Sequence, residues 1–450
     1  MLHSPLVALS PISPIRETFP AIWPPQQRKT QVQSVQVQSV YDILSKSLSF
    51  TNDGKFWWDT TGRMLASMFS LLGYDVHVQY FHMLFFHLRV RPYMGPRPNW
   101  QNQAEFKSYM TDDHTPIEVS WIVNPDGTAT VRYAIEPIDL NSDNSKAAAL
   151  QMVEELKPAI RNLNLEWFDI LNDALVWHGN SNIAGAKHAT QYFLGFDCAH
   201  TGNVTLKAYF LPEIKSVKTR VSKDELVSRA LVALDHGLET PWKATVDYFD
   251  TLPSSIRPSV EIIATDCAAP KDSRIKVYVR TRSTKFSDLE GLMTLGGKLK
   301  GKVIEDAMSN LTSLWEMIMR VDTSAPDWKE QRLTPRLSVE ANDNHITGGL
   351  LLYYELKPGC PLPFPKVYLP VRHYCSDDLA IAEGMEAYHR KKGGVFVDGY
   401  IRDVESIFGR HRSLSARTGI HTYVSLAIKK SDFEVTSYFN PEAYAPERFL

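Results

Sequence analysis

The chain has almost no net charge, few cysteines and no long apolar run. Its 49 Lys and Arg residues against 51 Asp and Glu leave a formal net charge of −2, so no global basic field argues for nucleic acid or an anionic membrane surface as partner. Any cationic site must be local. The four cysteines, Cys198, Cys267, Cys360 and Cys375, lie far apart, with no CxxC spacing and no histidines at zinc-ligand distance. They read as reduced, mostly core residues of a cytosolic protein. No apolar stretch reaches the roughly 20 residues that a membrane span needs. The opening "MLHSPLVALSPISPIRETFPAIWPP" lacks a basic segment followed by a continuous apolar one, and its prolines interrupt any helix. A soluble, cytoplasmic protein is expected.

What is present is enough apolar residue, 44% of 450, to bury a large core. Residues 1–38 are rich in Pro, Ser and Gln and contain the near-duplicate "VQSVQVQSV", which predicts a flexible or surface-wrapping arm. Helical signals start at "VYDILSKSL" and continue through "KFWWDTTGRMLASMFSLLGY" and "VHVQYFHMLFFHLRVRPYMGP". In the last of these His77, His82 and His87 are five apart, about 140° around a helix, which suits core or surface histidines better than metal ligands.

From residue 117 onward the pattern becomes paired strands. "IEVSWIV" and "ATVRYAIEPI" flank "NPDG"; "TQYFLGFD" and "VTLKAYFLP" flank "CAHTGN"; "SVEIIATD" and "SRIKVYVRT" flank "CAAPKD". "GGLLLYYEL" with "PKVYLPV", and "HTYVSLAI" with "FEVTSYF", complete five hairpins. Helical stretches such as "SKDELVSRALVALDHGL" and "GKVIEDAMSNLTSLWEMIMRV" separate them. Five αββα units give ten antiparallel strands, and closing such a sheet removes its edges. The expected fold is one α/β barrel over residues 39–450, helices outside and a cavity within.

Which strand face looks inward follows from a recurring spacing. In "SRIKVYVR", Arg274, Lys276, Tyr278 and Arg280 share one face and Ile275, Val277 and Val279 the other. Second strands of the other hairpins repeat a basic-x-Tyr pattern: Arg132; Lys207 and Tyr209; Lys366 and Tyr368; Tyr438. If the aliphatic faces pack under the helices, five cations and four tyrosines converge in the lumen. Like charges so close need an anion to neutralise them, and a ring of Arg and Lys suits a diphosphate. Tyrosine faces attract a cation by about 0.5 to 2 kcal/mol each. The chemistry implied is ionisation of an allylic diphosphate.

Taken in order, "FWWDTTGRML", "MGPRP", "DDHTPIEVSW", "VRYAIEPI", "LKAYFLP", "SRIKVYVR", "PKVYLPV", "YVSLAI" and "SYFNP" resemble the fungal aromatic prenyltransferases of the dimethylallyltryptophan synthase type, over Trp57 to Phe439. The resemblance implies the ABBA barrel and diphosphate contacts from Arg132, Lys207, Arg274, Lys276 and Lys366. It also implies a tyrosine shield from Tyr209, Tyr278, Tyr368, Tyr423 and Tyr438, and an aromatic-substrate contact from Glu118. Lys366 stands where some members carry glutamine. "TQYFLGFD" lacks the lysine that tryptophan-C4 members place before the aspartate, which argues against free tryptophan prenylated at C4.

Two rivals have sequence discriminators. A metal-dependent prenyltransferase would need DDxxD, which neither Asp112-Asp113 nor Asp377-Asp378 completes. A non-catalytic anion-binding barrel would have no use for Glu118, unless that carboxylate merely pairs with Arg132 across the first hairpin. The resulting expectation is a secondary-metabolite enzyme that needs no metal and no cofactor. It transfers a dimethylallyl group from dimethylallyl diphosphate to an indole-containing acceptor, with a phenolic acceptor as the alternative. The sequence leaves room for a homodimer.

Overall fold

The computed structural model describes residues 38–124, 128–138, 145–179, 184–335, 345–393 and 396–450. The arm expected over 1–38 lies outside these, apart from residue 38. Val40 to Leu450 form one compact unit.

Ten strands close into a barrel in which each pairs antiparallel with its sequence neighbours, and β1 (Ile117–Val123) pairs with β10 (Phe433–Phe439) to seal the ring. The others are β2 (Ala129–Ile135), β3 (Tyr192–Cys198), β4 (Val204–Phe210), β5 (Ser259–Asp266), β6 (Ile275–Thr281), β7 (Leu350–Leu356), β8 (Phe364–Leu369) and β9 (His421–Ile428). All five expected hairpins are formed. Because the sheet has no edge, every strand is paired on both sides.

Strand β6 shows how the alternation divides the molecule. Ile275, Val277 and Val279 belong to the large apolar core between sheet and helices. Tyr278 instead joins Tyr353, Tyr368 and Tyr423 in a second, separate cluster inside the barrel. The basic-x-Tyr face is therefore the lumenal one.

Helices coat the outside, among them Glu166–Leu175, Lys223–Leu234, Lys302–Met319 and Asp378–Lys392. Ser222 caps one by accepting from the Glu225 amide, and Asp377 caps another by accepting from Ala380. The last two pack closely because Gly384 has no side chain: a Cβ there would come within 2.5 Å of the Met317 carbonyl oxygen. The segment read as one helix from Lys55 to Tyr74 is helical with a π turn at Trp58–Gly62. Among the described residues, no helix is long and apolar enough to cross a membrane.

Two β-bulges interrupt the ladder. Between β5 and β6, Val260 pairs with Val279 and Ile262 with Tyr278, which leaves Glu261 as the extra residue. Between β9 and β10, Tyr423 pairs with Tyr438 and His421 with Phe439, which leaves Thr422 extra. Bulges re-aim side chains and cluster beside active sites. Both of these open onto the same end of the lumen.

Candidate active site

The lumen contains about 1160 Å³ of unfilled space, counting its open mouth.

At one end the register sets cations against acids. Arg132 lies directly opposite Asp197, Lys207 opposite Asp266, and Lys276 opposite Glu355. Arg132 Nε is 3.2 Å from Asp197 Oδ1, and Lys207 also pairs with Asp197. Arg274, just before β6, reaches Asp266 at 2.8 Å and Glu355 at 3.3 Å. Lys276 lies 3.3 Å from Asp266. Of the five cations predicted from the sequence, Arg132, Lys207, Lys276 and Lys366 line the cavity and Arg274 stands behind it on Asp266 and Glu355, so they do not form an uncompensated ring. Asp197, Asp266 and Glu355 neutralise much of their charge, a pairing that the sequence reading does not include for any of the three. A signal was available, since "LGFD", "IATD" and "LYYE" set an acid at or near the end of the first strand in three successive hairpins.

Burial and the charge pairs pull protonation in opposite directions at this end, and burial prevails at the two lysines Lys276 and Lys366. It lowers Lys276 to about 7, partly offset by Asp266. Burial also lowers Lys366 far below the usual lysine range, with Lys429 and Arg132 adding repulsion. Burial alone would raise Glu355, but Arg274 and Lys429 outweigh it and bring the carboxyl down to about 2. Lys366 donates to the Tyr438 hydroxyl at 2.8 Å and sits over the Tyr368 ring at 4.6 Å.

Above the cations stands an aromatic wall. Tyr278 packs edge-on to Tyr353 at 5.2 Å between centroids, Tyr209 lies 6.1 Å from Tyr278, and Tyr368 contacts both Tyr423 and Tyr438. All five predicted tyrosines line the cavity, and Tyr353 is a sixth. It was missed because it lies on a first strand, outside the basic-x-Tyr repeat. Gly195, opposite Lys207, leaves space for Tyr209: a Cβ there would meet that ring at 3.0 Å.

The far end is built differently. Glu118 faces the cavity and accepts a 2.7 Å hydrogen bond from Thr422, the bulged residue of β9. Burial raises its carboxyl to about 7 against the opposing pull of Thr422 and Arg372. The pairing of Glu118 with Arg132 considered above is not formed, since Glu118 lies opposite Ala134 and Arg132 opposite Ser120. Arg372, on the short helix Val371–Tyr374, holds Asp112 at 2.7 Å and donates to the Tyr423 hydroxyl at 3.3 Å. Arg280 donates to the Thr347 carbonyl at 2.8 Å.

Asp112, His345 and His373 bring their ligand atoms within 4.8 Å of one another, the only such group among the described residues. The Arg372 guanidinium lies against both Asp112 and His373 Nε2, the latter at 3.4 Å, so a metal ion would face a fixed positive charge. These groups brace Arg372 instead. Asp113 bonds to Thr111, Thr115 and Asn440, and Asp378 is buried against Arg412 and His421. His82 bonds to the Ala199 carbonyl, His87 packs edge-on to Trp58, and His77 is exposed.

Known proteins share the sequence family and the fold. The model of the family described as tryptophan dimethylallyltransferase matches residues 53–403. A 4-O-dimethylallyl-L-tyrosine synthase of Claviceps purpurea is 35% identical, covering 86% of this chain and 88% of its own. A 7-dimethylallyltryptophan synthase of Aspergillus fumigatus is 30% identical, covering 90% and 89%. Among solved structures, AnaPT from Neosartorya fischeri shares the fold at a TM-score of 0.77 and 23% identity, covering 90% of this chain and 98% of that one. NotF, in complex with brevianamide F and DMSPP, does so at 0.76 and 19% over the same shares.

Proposed function

The chain belongs to the tryptophan dimethylallyltransferase family and is an aromatic prenyltransferase; from that premise we propose that it transfers a dimethylallyl group from dimethylallyl diphosphate to an indole-containing acceptor. The observation that carries this reading is the stacking of three layers in one lumen: paired cations, a tyrosine wall, and a buried carboxylate at the far end.

Arg132, Lys207, Arg274 and Lys276 receive the diphosphate by exchanging internal carboxylate partners for phosphate oxygens, and Lys366 joins them from its bond to the Tyr438 hydroxyl. As the allylic C–O bond breaks, its electron pair leaves with the diphosphate, and fixed positive charge stabilises what develops there. The carbon fragment is left cationic against the rings of Tyr209, Tyr278, Tyr353, Tyr368 and Tyr438. Their phenols stay protonated because burial raises them, Tyr438 to about 12, so they offer ring faces rather than phenolate nucleophiles. Glu118 accepts a hydrogen bond from the indole N–H and offsets positive charge on the ring as a ring carbon attacks. Loss of the ring proton to the released diphosphate restores aromaticity.

A phenolic acceptor is the second reading, supported by similarity to the tyrosine O-transferring synthase. Glu118 would then take the phenol proton. In both readings the cation set neutralises the leaving group without a metal. Incubation with dimethylallyl diphosphate and a panel of indoles and phenols, with mass detection, should give a product heavier by the dimethylallyl group less one hydrogen, undiminished by EDTA. Activity abolished by EDTA and restored by Mg²⁺ alone would overturn the metal-free mechanism.

A further inference from the structure

Asp377 and Asp378 complete no metal-binding motif, and at the start of the helix Asp378–Lys392 they divide two tasks. Asp377 caps the helix by accepting from the Ala380 amide. Asp378 is fully buried behind the cavity wall, and its carboxylate accepts four hydrogen bonds. Oδ1 takes the His421 amide at 2.7 Å and His421 Nδ1 at 3.0 Å, while Oδ2 takes the Ile420 amide at 3.0 Å and Arg412 Nη2 at 2.6 Å. Arg412 is held in turn by Glu442 at 2.8 Å. Charge-assisted bonds of this kind are roughly twice as strong as neutral ones.

What they hold is the entry to β9. A bulge disrupts the ladder and leaves backbone groups to be satisfied elsewhere, and Asp378 takes the two amides immediately before the bulged Thr422. The Thr422 hydroxyl donates to Glu118 at 2.7 Å. Earlier in the same stretch, Thr418 donates to the Arg372 carbonyl at 2.9 Å. Between these two ties Gly419 has a φ of +136°, which an L side chain rarely adopts, and a Cβ there would collide with the Glu442 carboxylate. Glycine gives the chain no preference of its own for that shape, so the side-chain ties must impose it.

We infer that Asp378 is a positioning residue for prenyl transfer: by clamping the Ile420 and His421 amides it fixes the β9 bulge, and the bulge aims the Thr422 hydroxyl at Glu118. This rests on the reading of Glu118 as the acceptor's partner and adds a residue that touches neither substrate. An amide cannot replace the carboxylate. Asparagine has one accepting oxygen and one donating nitrogen, so in either orientation its nitrogen faces other donors, from His421 or from Ile420 and Arg412. The clamp then opens, and the Thr422 hydroxyl is free to leave Glu118.

The test reads the Glu118 carboxyl itself, through the C=O stretch of its protonated form in infrared difference spectra against pH, assigned by its loss in Glu118→Gln. Arg372, Asp112, Lys366 and Tyr438 are the other groups whose charge bears on Glu118, and all are retained. The Thr422 hydroxyl favours the ionised carboxylate, so Thr422→Val should raise the midpoint by about one unit or more. Asp378→Asn should raise it likewise, and Thr422→Val added to Asp378→Asn should cause roughly a third or less of the shift it causes alone. At saturating donor, kcat/KM for the indole or phenol of the panel that gives most product should fall about fivefold at about pH 7 in Asp378→Asn and recover by about pH 9. Binding of a dimethylallyl thiolodiphosphate analogue should match wild type, which shows that the barrel is folded. Asp378→Glu, which keeps the charge but sets it one bond further out, takes the place of Asp378→Asn if the latter does not fold, with the same coupling expected. An unmoved midpoint in Thr422→Val or the Asp378 variant, a full Thr422→Val shift in the Asp378 background, or a loss of activity that does not recover at high pH would overturn the clamp. Because the titration needs no acceptor, absence of product from every indole and phenol would overturn the function reading alone.

Discussion

The two ends of the lumen are built by different means. At the diphosphate end, regular antiparallel register sets Arg132, Lys207 and Lys276 directly across from Asp197, Asp266 and Glu355. Each of these three cations has an acid one strand away. At the acceptor end, regularity is broken. Two bulges turn Glu261 and Thr422 inward, and Arg372, Asp112 and Thr347 come from a short helix and loops. There, partners are incomplete and Glu118 sits near its titration midpoint at neutral pH. On the proposed reading, repeated strands supply an anion site that any allylic diphosphate could share, whereas the irregular end distinguishes one aromatic acceptor from another.

If this division holds, truncating a donor-end cation should have the largest effect. Lys276→Ala or Arg274→Ala removes one partner of a hydrogen-bonded charge set, a loss of about 2 to 5 kcal/mol. Measured as kcat/KM for dimethylallyl diphosphate, that is about thirtyfold to several thousandfold. Acceptor KM should change little. Near wild-type kinetics for both variants would return "SRIKVYVR" to an ordinary charged strand.

A smaller effect sharpens the contrast through pH, because the two ends should slope in opposite directions. Burial holds Lys276 at about 7, so above that pH it is neutral and must recapture a proton to meet a diphosphate. Affinity for the thiolodiphosphate analogue should therefore weaken by up to about tenfold per unit as pH rises past 7, with net proton uptake seen by calorimetry in two buffers. Burial raises Glu118 to about 7, and its ionised form is the one that serves the acceptor. At saturating donor, acceptor kcat/KM should rise with pH through about 7 and then level off. Parallel slopes at both ends would contradict the division.

The same contrast explains what was legible in the sequence. Strand alternation is a period-2 signal, so all ten strands, the lumenal face and the five cations could be read from spacing alone. The carboxylate partners were harder, because Asp197, Asp266 and Glu355 lie on the first strands, and pairing them with cations requires the register between hairpins. Tyr353 was missed for the same reason. Nothing in the sequence announces the bulges, since Glu261 and Thr422 look like ordinary alternating strand residues. Arg372 follows a strand and reads as a surface charge until the short helix turns it inward. Glu118 was identified through family resemblance, and its partner Thr422, 304 residues away, is set by barrel closure.

Separation of the two ends is tested most directly by Glu118→Gln, with turnover and donor binding measured on the same preparation. Glutamine keeps the shape and a hydrogen-bond acceptor but loses the charge. Turnover with an aromatic acceptor should fall by about 10² or more if the carboxylate offsets charge on the ring in the transition state. Affinity for the thiolodiphosphate analogue should hold or improve, because removing a negative charge from the lumen cannot weaken anion binding electrostatically. Loss of analogue binding with unchanged turnover at saturating donor would contradict the assignment and make Glu118 part of the donor site.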